Sequence, residues 1–321
     1  MTGHAVLFPG QGAQALGMGL DIAAAEPAAA AVFERGAEVL GQDLREIIGG
    51  DDKGALDRTD VCQPAILMTS LAVMAALEAR GLLDAGAVGA CAGLSLGEYS
   101  ALTWAGALQL EDAVRLVRAR GEAMQAASDE RPSGMLSLVG ATRESAEAVV
   151  AAARDDGVLV LANLLAPGQI AIAGTTEALD RAAEILREHK IRKGVRLAVA
   201  GAFHSPCMES AQARLAEALE ATTISEPRLP VVLNVTGAPT RDPAEIAEAL
   251  RRQVVAPVLW QASMESLLAD GLTDFLEPAP GKQLTNMLRR YETPTTVTTV
   301  GTADELASAA AWPAATSGGG A

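Results

Sequence analysis

A serine set between two glycines, in CAGLSLGEYS at residues 91–100, constrains this chain more than any other stretch of it. Small apolar residues, AVGACAG at 87–93, run up to it, and EYSALTWAGAL follows with helical character. Strand, tight turn and helix in that order form one unit of a parallel sheet, whose strands are joined by helices packed on its faces. Glycines on both flanks let the backbone turn so sharply that the Ser95 hydroxyl stands exposed above the helix N-terminus, the arrangement of a nucleophile elbow. The positive helix end then helps to hold a developing oxyanion. A glycine-rich turn with a capping serine is the plainer reading. The bare GxSxG string does not exclude that reading, and it is the flanking strand and helix that favour the elbow.

The rest of the chain agrees with a parallel sheet. Further strands are expected at AVLFP (5–9), PVVLNVT (230–236) and TDFLEP (273–278), with longer helical stretches between them. The segment 134–199 reads differently. MLSLVG, a helix from about Glu144, VLVLANLL, QIAIAG, a helix from about Glu177 to Lys190, and VRLAVA give the order β-α-β-β-α-β, the split ferredoxin-like arrangement. The expected fold class is therefore α/β, a mostly parallel sheet covered by helices with an inserted ferredoxin-like subdomain. Residues 1–129 and 201–305 would make a discontinuous core and 130–200 the insert. LASAAAWPAATSGGGA, at 306–321, would be a flexible tail.

Composition removes several function classes. Forty acidic against 25 basic residues give a formal charge of -15, which argues against a nucleic-acid surface and means that an acidic partner needs a local basic patch. Half of the 321 residues are hydrophobic, yet charged positions are spread so evenly that no apolar run is expected to span a membrane. MTGHAVLFPGQG carries no secretory signature, so the cytoplasm is the expected compartment. Cys62, Cys91 and Cys207 give neither a disulfide framework nor a metal-binding spacing, and no metal site is expected.

A serine hydroxyl needs a base, and histidine is the usual one at neutral pH. His4 begins the first strand, at the wrong end of a parallel sheet, and His189 lies in the basic terminus ILREHKIRKG. His204, in GAFHSP, follows a strand and precedes a helix, so it sits on a loop that can reach the elbow. In EDAVRLVRARGEAMQ, Arg120 falls within the apolar stripe of Ala113, Leu116, Val117 and Met124. A buried guanidinium demands an anion, either an internal carboxylate or one that arrives with the substrate. LFPGQGAQA also satisfies a loose GxGxxA dinucleotide fingerprint, but the helical AAAEPAAAAVFERGAEVL occupies the place where the second strand of such a unit should come.

FPGQGAQ, GLSLGEYSAL, RGEAMQ, APGQIAIAG, GAFHSP, NVTG, LRRQVVAPVLW and EPAPGKQL occur in the order seen in malonyl-CoA:acyl carrier protein transacylases, and over residues 3–303 the chain resembles that family. The resemblance implies an α/β-hydrolase-like core with a ferredoxin-like insert. It places the nucleophile on Ser95, the base on His204 and the carboxylate-binding arginine on Arg120. Gln11 and Leu96 would supply oxyanion N–H groups, Gln253 a backbone carbonyl that orients the histidine, and Asn163 a polar group near the substrate. Phe203 resembles the bulky residue of the malonyl-selective class. Leu94 and Leu165 depart from the histidine and asparagine of many members, and both bear on acyl selectivity.

The implied reaction is transfer of malonyl from malonyl-CoA to the phosphopantetheine thiol of acyl carrier protein through a malonyl-serine, in fatty acid or polyketide synthesis, by a monomer without a cofactor. A serine hydrolase or thioesterase acting on acyl-CoA is the alternative, and a non-catalytic docking module a third reading. For an acidic carrier the candidate patch is REHKIRKGVR, with Lys190, Arg192 and Lys193 at its centre and Arg187 and Arg196 flanking. The plainer reading of those cations is a solvated helix terminus.

Overall fold

The computed structural model describes residues 3–313. Among these residues ten strands form two sheets. The larger contains β1 (His4–Phe8), β2 (Ala90–Gly93), β7 (Val231–Val232), β8 (Pro239–Thr240), β9 (Asp274–Pro278) and β10 (Thr296–Val300), in the order β10-β9-β1-β2-β7-β8. All pairs are parallel except β7 with β8, a hairpin whose edge strand opens on Pro239, where no ladder donor is needed. Alternation along β1 serves two cores: Val6 and Phe8 face the cluster built around the Thr59–Ala79 and Leu110–Glu130 helices, while Ala5 and Leu7 face Trp260, Met264 and Leu284. Both faces are thus covered, as a parallel sheet requires.

The smaller sheet has β3 (Ser133–Val139), β4 (Leu159–Ala166), β5 (Gln169–Thr175) and β6 (Lys193–Arg196) in the order β4-β5-β3-β6, all antiparallel. With the Arg143–Ala153 and Thr176–Ile185 helices this is the ferredoxin-like order expected from the sequence. Ile170 and Ile172 pack under its own helices, whereas Ala171 and Ala173 turn the other way and join the main core. That second face puts one wall of the small sheet against the end of β2 in the large one.

Several expectations need correction. PVVLNVT gives only two strand residues, because at Leu233 the chain turns back, with Gly237 N–H bonded to the Leu233 carbonyl and the Asn234 side chain drawn toward the elbow. β2 begins at Ala90 after a short 3₁₀ turn, Ala85–Ala87. The helix expected to reach Lys190 ends at Ile185, and Lys190 adopts a left-handed φ of 60° in the turn beyond it. VRLAVA leaves the sheet after Arg196. β10, TVTTV, was not expected.

The tail expected from residue 306 is packed as far as it is described. Leu306 is fully buried in an Ala303–Ser308 helix, and Trp312 is buried with its backbone N–H bonded to the Leu82 carbonyl and its ring edge-on to His4. Two large apolar side chains with a place in the core hold down a segment whose small residues suggested mobility. Residues 314–321 lie outside the described residues. Among the described residues one helix, Thr59–Ala79, is long and apolar enough to cross a membrane by length and composition, with a mean hydropathy of 1.5. Its most apolar stretch is 94% buried within the protein, so here it serves as a core helix.

Candidate active site

The elbow is tied down from three sides. Leu94 N–H bonds to the Phe8 carbonyl at the end of β1, 3.0 Å away. A Cβ on Gly93 would lie 1.9 Å from the backbone of Gly97, and one on Gly97 would lie 2.2 Å from the Phe8 oxygen, so both glycines are required by close approach. Asn234, fully buried, accepts from Ser95 N–H at 2.6 Å and donates to the Gly93 carbonyl at 2.7 Å. Ser95 is held at a φ of 52°, a left-handed conformation that a non-glycine residue keeps only when its surroundings fix it. Between Ala90 and Leu102 it is also the only residue not buried.

His204 shares that strain, with a φ of 59°. Its Nδ1 lies 2.7 Å from the Gln253 backbone carbonyl and its Nε2 lies 2.8 Å from Ser95 Oγ. A carbonyl can only accept, so Nδ1 carries the proton and Nε2 is left as the acceptor for the serine hydroxyl. Burial, and after it the nearby Arg120 cation, lower its pKa to about 4. The imidazole is therefore neutral at pH 7, the form able to take a proton. His4 lies at the opposite end of β1, 3.0 Å from Asp274, and His189 lies in the turn before β6.

Arg120 comes to the same point from the Leu110–Glu130 helix. It is 1% exposed, and its Nη2 donates to Ser95 Oγ and to Gln253 Oε1, each at 3.0 Å. Nη1 donates to Gln63 Oε1 at 2.7 Å, Nε has no partner, and the guanidinium lies over the Tyr99 ring, 5.6 Å from its centroid. Every hydrogen-bond acceptor is neutral, and among the described residues no carboxylate forms an ion pair with it. No carboxylate touches it directly, as one would in a structural buried arginine, and Glu98 reaches it only through the Gln253 amide.

Ser95 and His204 open onto a cleft of about 140 Å³ between the two sheets. Gln11, Asn163, Phe203, Leu94 and Leu165 line it together with Met124, Met135 and Met287. Asn163 keeps a buried Oδ1 without a partner. Leu96 is buried at the start of the elbow helix, and among the described residues neither its N–H nor that of Gln11 bonds to an internal acceptor. Glu277 at the end of β9 accepts from the N–H groups of Leu284 and Thr285, fixing the Gln283–Leu288 helix that brings Met287 to the cleft. A larger groove of about 480 Å³, between Gly140–Glu144 and Leu259–Glu265, contains none of these residues.

Lys190, Arg192 and Lys193 are outside this cluster. They are exposed on the turn into β6 and on the strand itself, past whose end the chain runs through Leu197, Ala198 and Val199 on the cleft wall. Arg196 pairs with Asp180. Asn234, Gln63 and Glu98 belong to the site but were not singled out from the sequence. The available signal was a polar residue where apolar neighbours were expected, as in VVLNV and VCQPAIL. Among the described residues no three His, Cys, Asp or Glu side chains cluster as metal ligands would.

The chain is similar to known proteins along almost its whole length. The acyl transferase domain family matches residues 6–310. The malonyl CoA-acyl carrier protein transacylase of Bacillus subtilis is 38% identical over 291 residues, 90% of this chain and 90% of that one. The crystal structure of malonyl-CoA:acyl carrier protein transacylase from Xanthomonas oryzae superposes with a TM-score of 0.90 at 36% identity, covering 96% of this chain and 97% of that one. A malonyl-transacylase solved in complex with its type II PKS acyl-carrier protein superposes with a TM-score of 0.91 at 34% identity, covering 95% and 98%.

Proposed function

The chain belongs to the acyl transferase domain family, and on that premise we propose that it carries a malonyl group from malonyl-CoA to the phosphopantetheine thiol of an acyl carrier protein by way of a malonyl ester on Ser95. One observation carries this reading beyond family membership: a buried guanidinium with no carboxylate bonded to it among the described residues donates to the same hydroxyl that the neutral imidazole accepts from. A neutral ester needs no such cation, so the arrangement favours a carboxylated acyl group over the substrate of a general hydrolase.

In the first half-reaction His204 Nε2 takes the Ser95 proton as Oγ attacks the thioester carbonyl. The N–H groups of Leu96 and Gln11 receive the oxyanion. The carbon–sulfur bond breaks, and the coenzyme A thiolate leaves with the proton from His204. In the second, the carrier's thiol gives its proton to His204 and attacks the malonyl ester, and Ser95 leaves with that proton. The Gln253 carbonyl orients the imidazole in place of a triad carboxylate, and a thioester is activated enough for a dyad to suffice. No step draws on a cofactor.

Arg120 meets the malonyl carboxylate with its planar fork. Asn163 offers a polar contact, and the Phe203 ring crowds the position of an α-substituent. Lys190, Arg192 and Lys193 dock the acidic carrier beside the cleft. All these groups lie within one chain, in keeping with a monomer, and the cytoplasm is its place of work. Ser95→Ala tests the core of the proposal. Intact mass after mixing with malonyl-CoA should show the adduct on the native chain and none on the variant, with the circular dichroism spectrum unchanged. An adduct on the folded variant would overturn it.

A further inference from the structure

The elbow helix carries a carboxylate that this mechanism does not use. Glu98 is fully buried, one of its oxygens accepts from Gln253 Nε2, and the other has no partner. Gln253 in turn reaches every reacting group: Nε2 also donates to the Ser95 carbonyl at 3.0 Å, Oε1 accepts from Arg120, and the backbone carbonyl holds His204. Ionised, Glu98 can only accept, and then only from the amide nitrogen, so it fixes which end of the Gln253 side chain faces Arg120.

The charged and titratable groups facing Glu98 are few. Arg120 does so from the Leu110–Glu130 helix and Tyr99 from its own helix. The Thr59–Ala79 helix brings Gln63 to Arg120, while its carboxylates are engaged elsewhere, Asp60 by Arg58 and Glu78 by Trp104. From the Pro243–Gln253 helix Gln253 alone reaches it, Arg251 being paired with Glu248. β2 carries the Cys91 thiol, bonded to the Ala101 carbonyl. His204, behind Ser95, is neutral above pH 4. Among the described residues Arg120 is thus the one cation within reach of Glu98.

We infer that Glu98 is a positioning residue that sets the preference for a carboxylated acyl group: ionised, it competes with the malonyl carboxylate for Arg120, and protonated, it leaves Arg120 to the substrate. The inference rests on the reading of Arg120 given above. Two carboxylates sharing one buried cation cannot both ionise freely, so binding malonyl draws a proton from solvent onto Glu98. Burial raises the Glu98 pKa to about 7, which puts this competition in the working range of pH. Acetyl has no carboxylate and does not enter it.

The test is the ratio of malonyl to acetyl loading on Ser95, read by intact mass at early times between pH 6 and 8.5. Titrations of coenzyme A and of the Ser95–His204 pair act on both esters and cancel in the ratio. In the native chain the ratio should fall about tenfold as pH rises, the size of one pKa unit of coupling. In Glu98→Gln, which keeps an acceptor for Gln253 but cannot ionise, the ratio should be flat and no lower than the native value at pH 6. A flat native profile, or equal slopes in both proteins, overturns the inference. If Glu98→Gln does not fold, the native profile alone decides. Failure to load malonyl at any pH would instead refute the proposed function.

Discussion

At the floor of the cleft every side chain that touches Ser95 is buried and only Arg120 is charged, whereas at the β6 edge Lys190, Arg192 and Lys193 stand in solvent, and among the described residues none of them forms an ion pair. The floor is held by short hydrogen bonds, two strained backbones and glycines that admit no Cβ. At the rim, exposed Val195 and Leu197 follow the cations, Val195 on β6, an edge strand that pairs on one side only, and Leu197 just past its end. A site of this kind separates two tasks. Bond making depends on distances fixed in a dry interior, and partner choice depends on charges whose reach is set by salt. Substitutions at the floor should therefore act on both half-reactions, and substitutions at the rim on the second alone.

The largest effect should come from His204→Ala. Without the base, both half-reactions should slow by roughly 10³- to 10⁴-fold, with the fold retained. Rapid-quench acylation by malonyl-CoA and deacylation by carrier, measured separately, should fall together, and loss of one alone would break the assignment of a single shared base. Arg120→Ala comes next. Truncating one partner of a buried charge pair costs about 2–5 kcal/mol, on the order of thirty- to several-thousand-fold in malonyl loading. Acetyl loading should be unchanged or improved. A proportional loss of both activities, together with a lowered melting temperature, would make Arg120 a structural cation instead.

The local patterns of this site were legible in the sequence. GLSLG between strand and helix, His204 on a loop after a strand and Arg120 on an apolar stripe each show within a window of a few residues. The same holds for the β-α-β-β-α-β order of 133–196. Features that depend on contacts distant in sequence were not legible. Asn234 looked like part of a strand because only its bonds to Gly93 and Ser95, about 140 positions earlier, pull it out of the sheet. Trp312 belongs to the core through Leu82, Leu83 and His4, and nothing in its small, flexible neighbours records that. Threonines hid β10, since TVTTV offers little apolar alternation to read. Glu98 was hidden because a glutamate in a first helical turn is ordinary until its burial is known.

Buried titration at the floor gives a third prediction. The His204 pKa is lowered from 6.5 to about 4, so the native state holds it neutral while the unfolded chain takes up a proton. Its contribution to stability is complete above pH 6.5 and is lost as pH falls toward 4. Glu98 is raised from 4.5 to about 7, so its contribution is complete below pH 4.5 and is lost as pH rises toward 7. Between pH 4.5 and 6.5 the two slopes oppose each other, each being about 1.4 kcal/mol per pH unit at most. Glu98→Gln removes one of them. Its melting temperature should therefore fall more steeply from pH 6.5 to 4.5 than that of the native chain, as read by calorimetry. Parallel curves would show that the two groups do not titrate as their burial implies.

The smallest effect belongs to the rim and tests the comparison most directly. With a net charge of -15 the protein repels an acidic carrier at long range, so any productive encounter must run over a local basic surface. Reversing Lys190 and Lys193 to glutamate leaves the floor untouched, and acylation of Ser95 by malonyl-CoA should keep its native rate. Transfer to the carrier should slow by roughly tenfold at low ionic strength, through association and not through the chemical step. That difference should shrink as salt rises past 0.15 M, where charges more than about 8 Å apart are largely screened. A salt-independent loss would point to a contact inside the cleft, and equal slowing of both half-reactions would mean that these lysines steer coenzyme A as well as the carrier. In either case, floor and rim would not be separate devices.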